Sequence, residues 1–140
     1  MKKKKKKKIG ILGGSFDPAH KGHVKISIEA KKKFKINKII WAVTKKNSFK
    51  SKSYFTLKKR IALSKKITKK YNFISVKFYE DKIKSNKTID LINYLKKKNN
   101  RTKYKSKSLK SRAFKTLGSK GLKFIKYNKV NISSSKLRKI

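Results

Sequence analysis

Near the start of the chain stands the stretch Ile9-Gly10-Ile11-Leu12-Gly13-Gly14-Ser15-Phe16-Asp17-Pro18-Ala19-His20-Lys21-Gly22-His23. An apolar run, a glycine pair and a polar segment follow one another, which predicts a buried strand, a turn and a helix that begins near Gly22. The chain has two histidines and one proline, and all three lie in this stretch. We therefore expect the chemistry of the protein here.

The residue types in this stretch suit a phosphate-binding site. Gly13 and Gly14 carry no Cβ, so the backbone can turn sharply and approach a ligand closely. A helix N-terminus attracts phosphate through its unpaired N–H groups and partial positive charge. His20 and His23 can donate ring N–H bonds to phosphate oxygens, and histidine titrates near neutral pH. A capped helix with two ordinary surface histidines is the alternative, and it would be favoured for a His-x-x-His on its own.

The eleven residues from 13 to 23 resemble the signature of the nucleotidylyltransferase superfamily, whose core is His-x-Gly-His. Their Gly-Gly-Ser-Phe-Asp-Pro form is similar to that of the bacterial nicotinate-nucleotide adenylyltransferases. Related pantetheine-phosphate adenylyltransferases usually carry Thr-Phe-Asp-Pro instead. Residues 132–138, Ile-Ser-Ser-Ser-Lys-Leu-Arg, resemble the Ile-Ser-Ser-Thr-x-Ile-Arg box of the same family. The resemblance implies an α/β fold with a Rossmann-like, doubly wound parallel sheet.

The same resemblance implies an enzyme that transfers the adenylyl group of ATP to nicotinate mononucleotide, giving deamido-NAD and pyrophosphate in NAD biosynthesis. ATP and nicotinate mononucleotide are then the expected partners, with Mg²⁺ accompanying ATP and no metal site on the protein itself. His20, His23 and Arg138 are the implied catalytic residues. The residues implied for binding ATP and its phosphates are Gly13, Gly14, Ser15, Phe16, Lys50, Ser133, Ser134 and Ser135.

Six of the polar residues implied for the site or placed near it, three of them in the serine box, have ordinary structural alternatives. Lys50 ends Asn47-Ser48-Phe49-Lys50, which resembles a weakened Pro-Pro-His-Lys segment, and it is one lysine among many. Thr88, in a segment that resembles Tyr-Thr-Ile-Asp-Thr-Leu, could bind the pyridine substrate or cap a helix. Arg60 stands where the family often has an arginine, but a surface cation explains it equally well. The serine box at 133–135 could be a helix cap.

Composition narrows the class of protein. The 140 residues predict one domain, and the absence of cysteine excludes disulfides and thiolate metal sites. We expect no signal peptide and no membrane-spanning segment, and therefore a cytoplasmic protein. With 46 Lys and Arg against 5 Asp and Glu, the formal net charge is +41, a balance typical of polyanion binding. Nearly all the cations are lysine, as in proteins of A/T-rich genomes, so a nucleic-acid partner is not expected.

The pattern of apolar residues predicts the elements of a single domain over residues 9–140. Residues 1–8 are predicted to form a disordered poly-lysine tail. Strands are predicted at Ile9–Leu12, Lys38–Val43 and Asn72–Phe78, and helices at Gly22–Phe34, from Ser53 or Thr56 to Lys69, and at Thr88–Lys98.

An irregular junction is predicted near residues 99–111, because no apolar run lies between Leu95 and Ala113. The family continues here with a buried strand, a Gly-x-Asp segment, a tryptophan-containing helix and another strand. Arg101 to Tyr104 could begin that first strand, but four lysines and serines follow at once. We therefore expect an incomplete sheet, in which strands after Tyr104 are missing and one edge of the first strand is exposed. Two alternatives stay open: a catalytically impaired, truncated relative, and a basic nucleic-acid-binding protein that keeps the motif as a relic.

Overall fold

The computed structural model describes residues 7–46 and 52–98 and the backbone of residues 103–105. Over these residues the elements are β1 (Lys8–Gly14), α1 (Lys21–Phe34), β2 (Lys38–Val43), α2 (Leu57–Thr68), β3 (Ile74–Phe78), α3 (Glu80–Ile83), α4 (Thr88–Lys98) and β4 (Lys103–Lys105). The three strands and three long helices predicted from the sequence are confirmed. The short helix α3 was not predicted.

The four described strands form one parallel sheet in the order β3-β2-β1-β4. From β1 the chain steps outward through β2 to β3, and it then returns to place β4 on the other side of β1. The strand order therefore reverses beside β1. Open α/β sheets bind ligands outside the carboxyl ends of the strands at such a reversal. The doubly wound parallel sheet predicted from the sequence is confirmed, and its reversal point lies where the motif leaves β1.

The edge of β1 that we expected to be exposed is partly covered. Lys8, Ile9 and Gly10 pair with the three residues of β4, so the expectation is wrong for this half of the strand. Strand β4 overlaps the segment Arg101 to Tyr104, where the sequence suggested a strand start. A strand this short pairs through backbone hydrogen bonds and needs no apolar run. Within the described residues, 11–14 have no strand partner on this side. Residues 106–140 lie outside the described residues, so the expectation that the family's strands after Tyr104 are missing stays a prediction.

The first strand begins one residue earlier than predicted, inside the poly-lysine segment. The backbone N–H of Lys8 donates to Oδ1 of Asn37 at 2.8 Å, and the N–H of Asn37 donates to the carbonyl of Lys8 at 2.9 Å. This reciprocal pair fixes Lys8 in the sheet, so the tail predicted over residues 1–8 ends before it. Residues 1–6 lie outside the described part of the chain.

Helices cover both faces of the sheet. Alternate side chains of β2 enter different clusters, which explains why the strand is apolar throughout. The cluster under α1 and α2 contains Phe16, Ala19, Val24, Ile36, Ile39, Trp41, Val43, Ile74 and Val76. The cluster under α4 contains Ile11, Ile40, Ala42, Leu91, Ile92 and Leu95. The sheet is thus the middle of three layers.

The side of α2 that packs on the core is mixed: its apolar residues contact the core cluster, but its most buried positions are polar. Leu57 and Ile61 are only partly buried, whereas Arg60, Ser64 and Thr68 are buried at a spacing of four residues. The hydroxyl of Ser64 donates to the carbonyl of Arg60, and that of Thr68 to the carbonyl of Ser64, each at 2.8 Å. The helix backbone therefore satisfies the two buried hydroxyls. The interpretation of Arg60 as a surface cation is wrong.

Candidate active site

The loop that follows β1 turns later than the sequence predicts. Gly13 and Gly14 still belong to β1 and pair with β2, whereas the residue with positive φ is Phe16, at 46°. The glycines therefore do not make the turn. Among the residues that the structure describes, a Cβ built on Gly13 would meet nothing within 4 Å, so this part of the chain leaves space beside the end of β1. That space is the feature that suits close approach of a ligand to the backbone.

Phe16 is a buried support for the site. Its ring stacks on Trp41, with centroids 4.8 Å apart and planes 7° apart, and it lies 5.0 Å from the ring of His23. Only 2% of Phe16 is exposed, so a phosphate could reach its backbone but not its side chain. The prediction of Phe16 as a phosphate-binding residue therefore stays a prediction, and it concerns the backbone of this residue. A bulky residue with positive φ is strained by about 1–3 kcal/mol, so its surroundings must hold it.

The two histidines cap α1 through each other. His20 is the N-cap residue, and its Nδ1 accepts a hydrogen bond from the N–H of Gly22 at 3.1 Å. Nδ1 of His23 accepts one from the N–H of His20 at 3.2 Å, and the two rings lie 4.0 Å apart. An Nδ1 that accepts carries no proton, so these bonds assign the ring proton to Nε2 in both residues. Capping therefore uses Nδ1 of each imidazole and leaves Nε2–H, the donor that the predicted phosphate contact requires, outside the cap.

The electrostatics of this helix start favour an anion. Burial lowers the pKa of His20 below its ordinary value of 6.5, so the ring is neutral at pH 7 and its Nε2–H is a donor without a net charge. The first turn of α1 contains no acidic residue. The positive end of the helix dipole is therefore not offset by a carboxylate in that turn, which favours a phosphate there.

The core fixes the orientation of the second histidine. Nε1 of Trp41 donates to the hydroxyl of Ser27 at 2.8 Å, and this hydroxyl donates to the carbonyl of His23 at 2.9 Å. The rings of Trp41 and His23 also meet edge to face at 5.9 Å. Trp41 is fully buried, so the position of His23 depends on the centre of the domain.

Two buried charged residues, which the sequence did not assign to the site, hold the loops around it. The Asp17 carboxylate accepts hydrogen bonds from the N–H groups of Tyr54 and Phe55, at 2.6 and 2.9 Å. The Arg60 guanidinium donates to four backbone carbonyls, those of Ser15, Thr44, Lys45 and Phe55. The available signals were that Asp17 is the only acid of the motif, that Arg60 is the only arginine of a lysine-rich helix, and that the family often has an arginine in this helix.

Comparison with known proteins places this site in a family. The cytidylyltransferase-like family model matches residues 11–140. The chain belongs to this family. A probable nicotinate-nucleotide adenylyltransferase of Pelagibacter ubique is 49% identical over an alignment that covers 97% of this chain and 94% of that protein. A protein of the same name from Aliarcobacter butzleri is 39% identical over 64% of this chain and 50% of its own length.

Solved structures of this family share the fold. One is a nicotinate-nucleotide adenylyltransferase of Vibrio parahaemolyticus, with a TM-score of 0.73 and 15% identity, over 95% of this chain and 85% of that one. Another is the nicotinic acid mononucleotide adenylyltransferase of Plasmodium falciparum in complex with NaAD, with a TM-score of 0.71 and 19% identity, over 95% of this chain and 83% of that one. At these identities the likeness concerns the fold.

The family comparison also bears on the length of the chain. The alignment with the Pelagibacter protein runs over 170 positions, whereas this chain has 140 residues, so at least 30 of those positions have no residue here. Since that alignment covers 97% of this chain, the missing positions are gaps inside the aligned region. This agrees with the internal shortening predicted from the sequence.

Thr88 does not cap its helix. It is the first residue of α4, and the hydroxyl that serves this helix start is that of Ser85. It accepts from the N–H of Lys87 at 3.1 Å and donates to Asp90 at 2.5 Å. Since α4 follows β3 and runs back towards the start of β4, Thr88 lies at the carboxyl edge of the sheet, as the histidines do. Contact between Thr88 and the pyridine substrate stays a prediction.

The remaining predicted site residues fall outside the described residues, and their roles stay predictions. They are Lys50, Ser133, Ser134, Ser135 and Arg138. Among the residues that the structure describes, no three His, Asp or Glu side chains come together as a group that could hold a metal ion. Over the same residues, no helix is both long and apolar enough to cross a membrane.

Proposed function

We propose that this chain is a cytoplasmic nicotinate-nucleotide adenylyltransferase, which transfers the adenylyl group of ATP to nicotinate mononucleotide in NAD biosynthesis. The observation that carries the proposal is the 49% identity over 97% of the chain to a relative of that name. The Plasmodium structure adds a protein of the same fold that binds NaAD. The alternatives of a nucleic-acid-binding protein and an inactive relative have no comparable support.

The reaction needs charge stabilisation more than proton transfer. An oxygen of the nicotinate mononucleotide phosphate attacks the α-phosphorus of ATP, the bond from this phosphorus to the bridging oxygen breaks, and pyrophosphate leaves. The attacking phosphate is already an anion, so no general base is required. Catalysis then consists of holding the two phosphates in line and stabilising the charge that develops on the equatorial and leaving oxygens.

His20 and His23 supply donors of the required kind. With each Nδ1 occupied by a backbone N–H, each ring donates from Nε2, and its direction is set by the cap rather than by the ligand. Such donors cost no reorganisation during the reaction, and this is the main way in which enzymes stabilise developing charge. The start of α1 adds its own N–H groups to the same anion.

The outer phosphates and the pyridine ring are assigned to the remaining family positions. We place the β- and γ-phosphates on Ser133, Ser134, Ser135 and Arg138, with Lys50 on a nucleotide phosphate and Thr88 near the pyridine. Mg²⁺ enters as part of the substrate MgATP, with oxygen ligands from phosphates and water, as this ion commonly binds. Nothing in the described residues is needed to hold it.

The proposal is tested with the full purified chain, MgATP and nicotinate mononucleotide. Pyrophosphate release that requires the mononucleotide is the expected result, with nicotinamide mononucleotide as the comparison substrate. Binding of MgATP, followed by Trp41 fluorescence, without any turnover would instead identify an inactive relative and contradict the proposal.

The capping role of His20 predicts a pH-dependent stability. Because burial lowers the folded-state pKa of His20 below 6.5, the unfolded chain takes up a proton in a range where the folded chain resists it. The free energy of unfolding should therefore fall as pH drops through about 6.5 and level off below the lowered folded-state pKa. Urea unfolding at several pH values between about 5 and about 8, followed by Trp41 fluorescence, measures it.

The matched control is His20→Asn, because asparagine is also a good N-cap residue but does not titrate in this range. The free energy of unfolding of His20→Asn should therefore decrease less between about pH 8 and about pH 5 than that of the wild type. Identical pH profiles for the two proteins would show that His20 does not resist protonation when folded.

A further inference from the structure

Arg60 is a buried cation with no function assigned to it. Only 1% of the residue is exposed, and its guanidinium donates to four backbone carbonyls. Nε reaches Phe55 at 3.1 Å, Nη1 reaches Ser15 at 2.6 Å and Thr44 at 2.7 Å, and Nη2 reaches Lys45 at 2.8 Å. A buried charge is tolerated only when it is fully hydrogen-bonded, and here neutral carbonyls provide that environment.

These four carbonyls belong to three different segments of the chain. Ser15 follows the last residue of β1, Thr44 and Lys45 follow the last residue of β2, and Phe55 precedes α2. Where the chain leaves the sheet, its backbone carbonyls no longer have a neighbouring strand as hydrogen-bond partner. If they are buried, they need other donors. The Arg60 side chain thus donates hydrogen bonds to the carbonyls just after β1 and β2, and also to a carbonyl of the segment before α2. It connects these three segments.

Asp17 makes the complementary connection. Its carboxylate, in a residue that is 4% exposed, accepts from the N–H groups of Tyr54 and Phe55. The segment before α2 is therefore held through its N–H groups by Asp17 and through a carbonyl by Arg60. Burial lowers the pKa of Arg60 from its ordinary value, and the negative charge of Asp17 opposes that shift.

The two anchors flank the strained residue of the motif. Ser15, whose carbonyl Arg60 binds, precedes Phe16, and Asp17 follows it. Phe16 has φ of 46° and presents its ring to His23 at 5.0 Å. A strained conformation persists only when the surroundings over-determine it. Arg60 and Asp17 provide this constraint from both sides.

We propose that Arg60 and Asp17 are positioning residues for adenylyl transfer, which fix the loop from Ser15 to Pro18 so that Phe16 holds His23 in its catalytic orientation. The inference rests on the proposed function for its kinetic consequence only. A guanidinium is needed because its planar fork reaches several acceptors at fixed angles, which a lysine ammonium on a flexible stem does not reproduce.

The test uses the full chain with Arg60→Met, which keeps an unbranched chain of similar length but removes every donor. The control is Lys58→Met, which removes one charge from an exposed position of the same helix. Amide hydrogen exchange is measured without substrate for Phe16, Thr44, Tyr54 and Phe55, and for the strand amides of β2. We expect roughly tenfold or faster exchange at the four loop amides of Arg60→Met, with the strand amides and the control unchanged.

Steady-state kinetics of pyrophosphate release are the second measurement. In Arg60→Met we expect kcat to fall roughly 100-fold, as for a misplacement of about 1 Å, while KM for ATP changes far less. Equal acceleration of loop and strand amides would show a general loss of stability and overturn the proposal. So would wild-type exchange at the loop amides, or a kcat within about twofold of the control. An inactive wild type would refute the proposed function, whereas the exchange data would still decide whether Arg60 fixes the loops.

A second pair of variants keeps the proposal testable should Arg60→Met not fold. Arg60→Lys retains the charge, and Asp17→Asn retains the size of the side chain while replacing one acceptor oxygen by an amide donor. Both should show the selective loop exchange, with Asp17→Asn affecting Tyr54 and Phe55 most. Wild-type exchange in both variants would overturn the positioning role.

Discussion

Replacing His23 by alanine is expected to lower kcat for pyrophosphate release by roughly 10²–10³-fold, the loss typical of removing one donor that stabilises a developing oxyanion. The substitution removes the Nε2–H donor. It also removes the acceptor that holds the N–H of His20 at 3.2 Å, so the first histidine loses part of its support. Steady-state kinetics with both substrates saturating measure the effect.

Two amide variants separate these contributions. In His23→Asn the side-chain oxygen can stand near the position of Nδ1 and keep the bond to His20, whereas in His23→Gln the amide lies nearer to Nε2. If Nε2 is the catalytic donor, His23→Gln should retain more turnover than His23→Asn, although His23→Asn should be the more stable of the two. The opposite order of activity, or near-wild-type release from His23→Ala, would contradict the assignment.

Replacing Trp41 by alanine is expected to give the largest loss of stability of any single substitution proposed for this chain, about 3–5 kcal/mol. The side chain is fully buried, stacks on Phe16 and donates to Ser27. Its removal leaves a cavity under the motif as well as a buried hydroxyl without its donor. Urea unfolding followed by far-ultraviolet circular dichroism measures the loss, since the variant has no tryptophan.

Trp41→Phe is the matched control, because it keeps an aromatic ring against Phe16 and loses only the indole N–H and part of the volume. A loss of about 1–2 kcal/mol is expected, corresponding to one hydrogen bond and a smaller cavity. A loss below about 1 kcal/mol for Trp41→Ala would show that the stack does not support the domain.

How far the sequence predicts this structure depends on whether the signal is local. Strand β2 and helix α4 were predicted with their observed bounds, because unbroken or helically spaced apolar residues mark them. The burial of Arg60 was not predictable, since its acceptors are backbone carbonyls from three segments that meet only in the folded chain. Strand β4 was only suggested, as a possible strand start at Arg101 to Tyr104, for a related reason: its pairing with β1 uses backbone groups that every residue has.

In the candidate site, too, the features with a local sequence signal were predicted and those that depend on distant contacts were not. The two histidines and their helix followed from the motif, but the atoms they use did not, because the reciprocal cap depends on ring orientation. The turn was assigned to the glycine pair, since glycine tolerates positive φ, whereas the structure places that conformation at Phe16. A bulky residue adopts it here because stacking on Trp41 and the bonds at Ser15 and Asp17 outweigh the local preference.

The cap formed by two neutral imidazoles has a consequence for the abundance of the folded chain. The first turn of α1 has no acidic residue, so a nucleotide bound there as proposed would contribute the negative charge that many helices carry in their own sequence. Ligand binding and folding are then linked, and a nucleotide present at 100 times its Kd adds about 2.7 kcal/mol to the free energy of unfolding. The cellular supply of substrate would thereby set how much of this enzyme survives proteolysis.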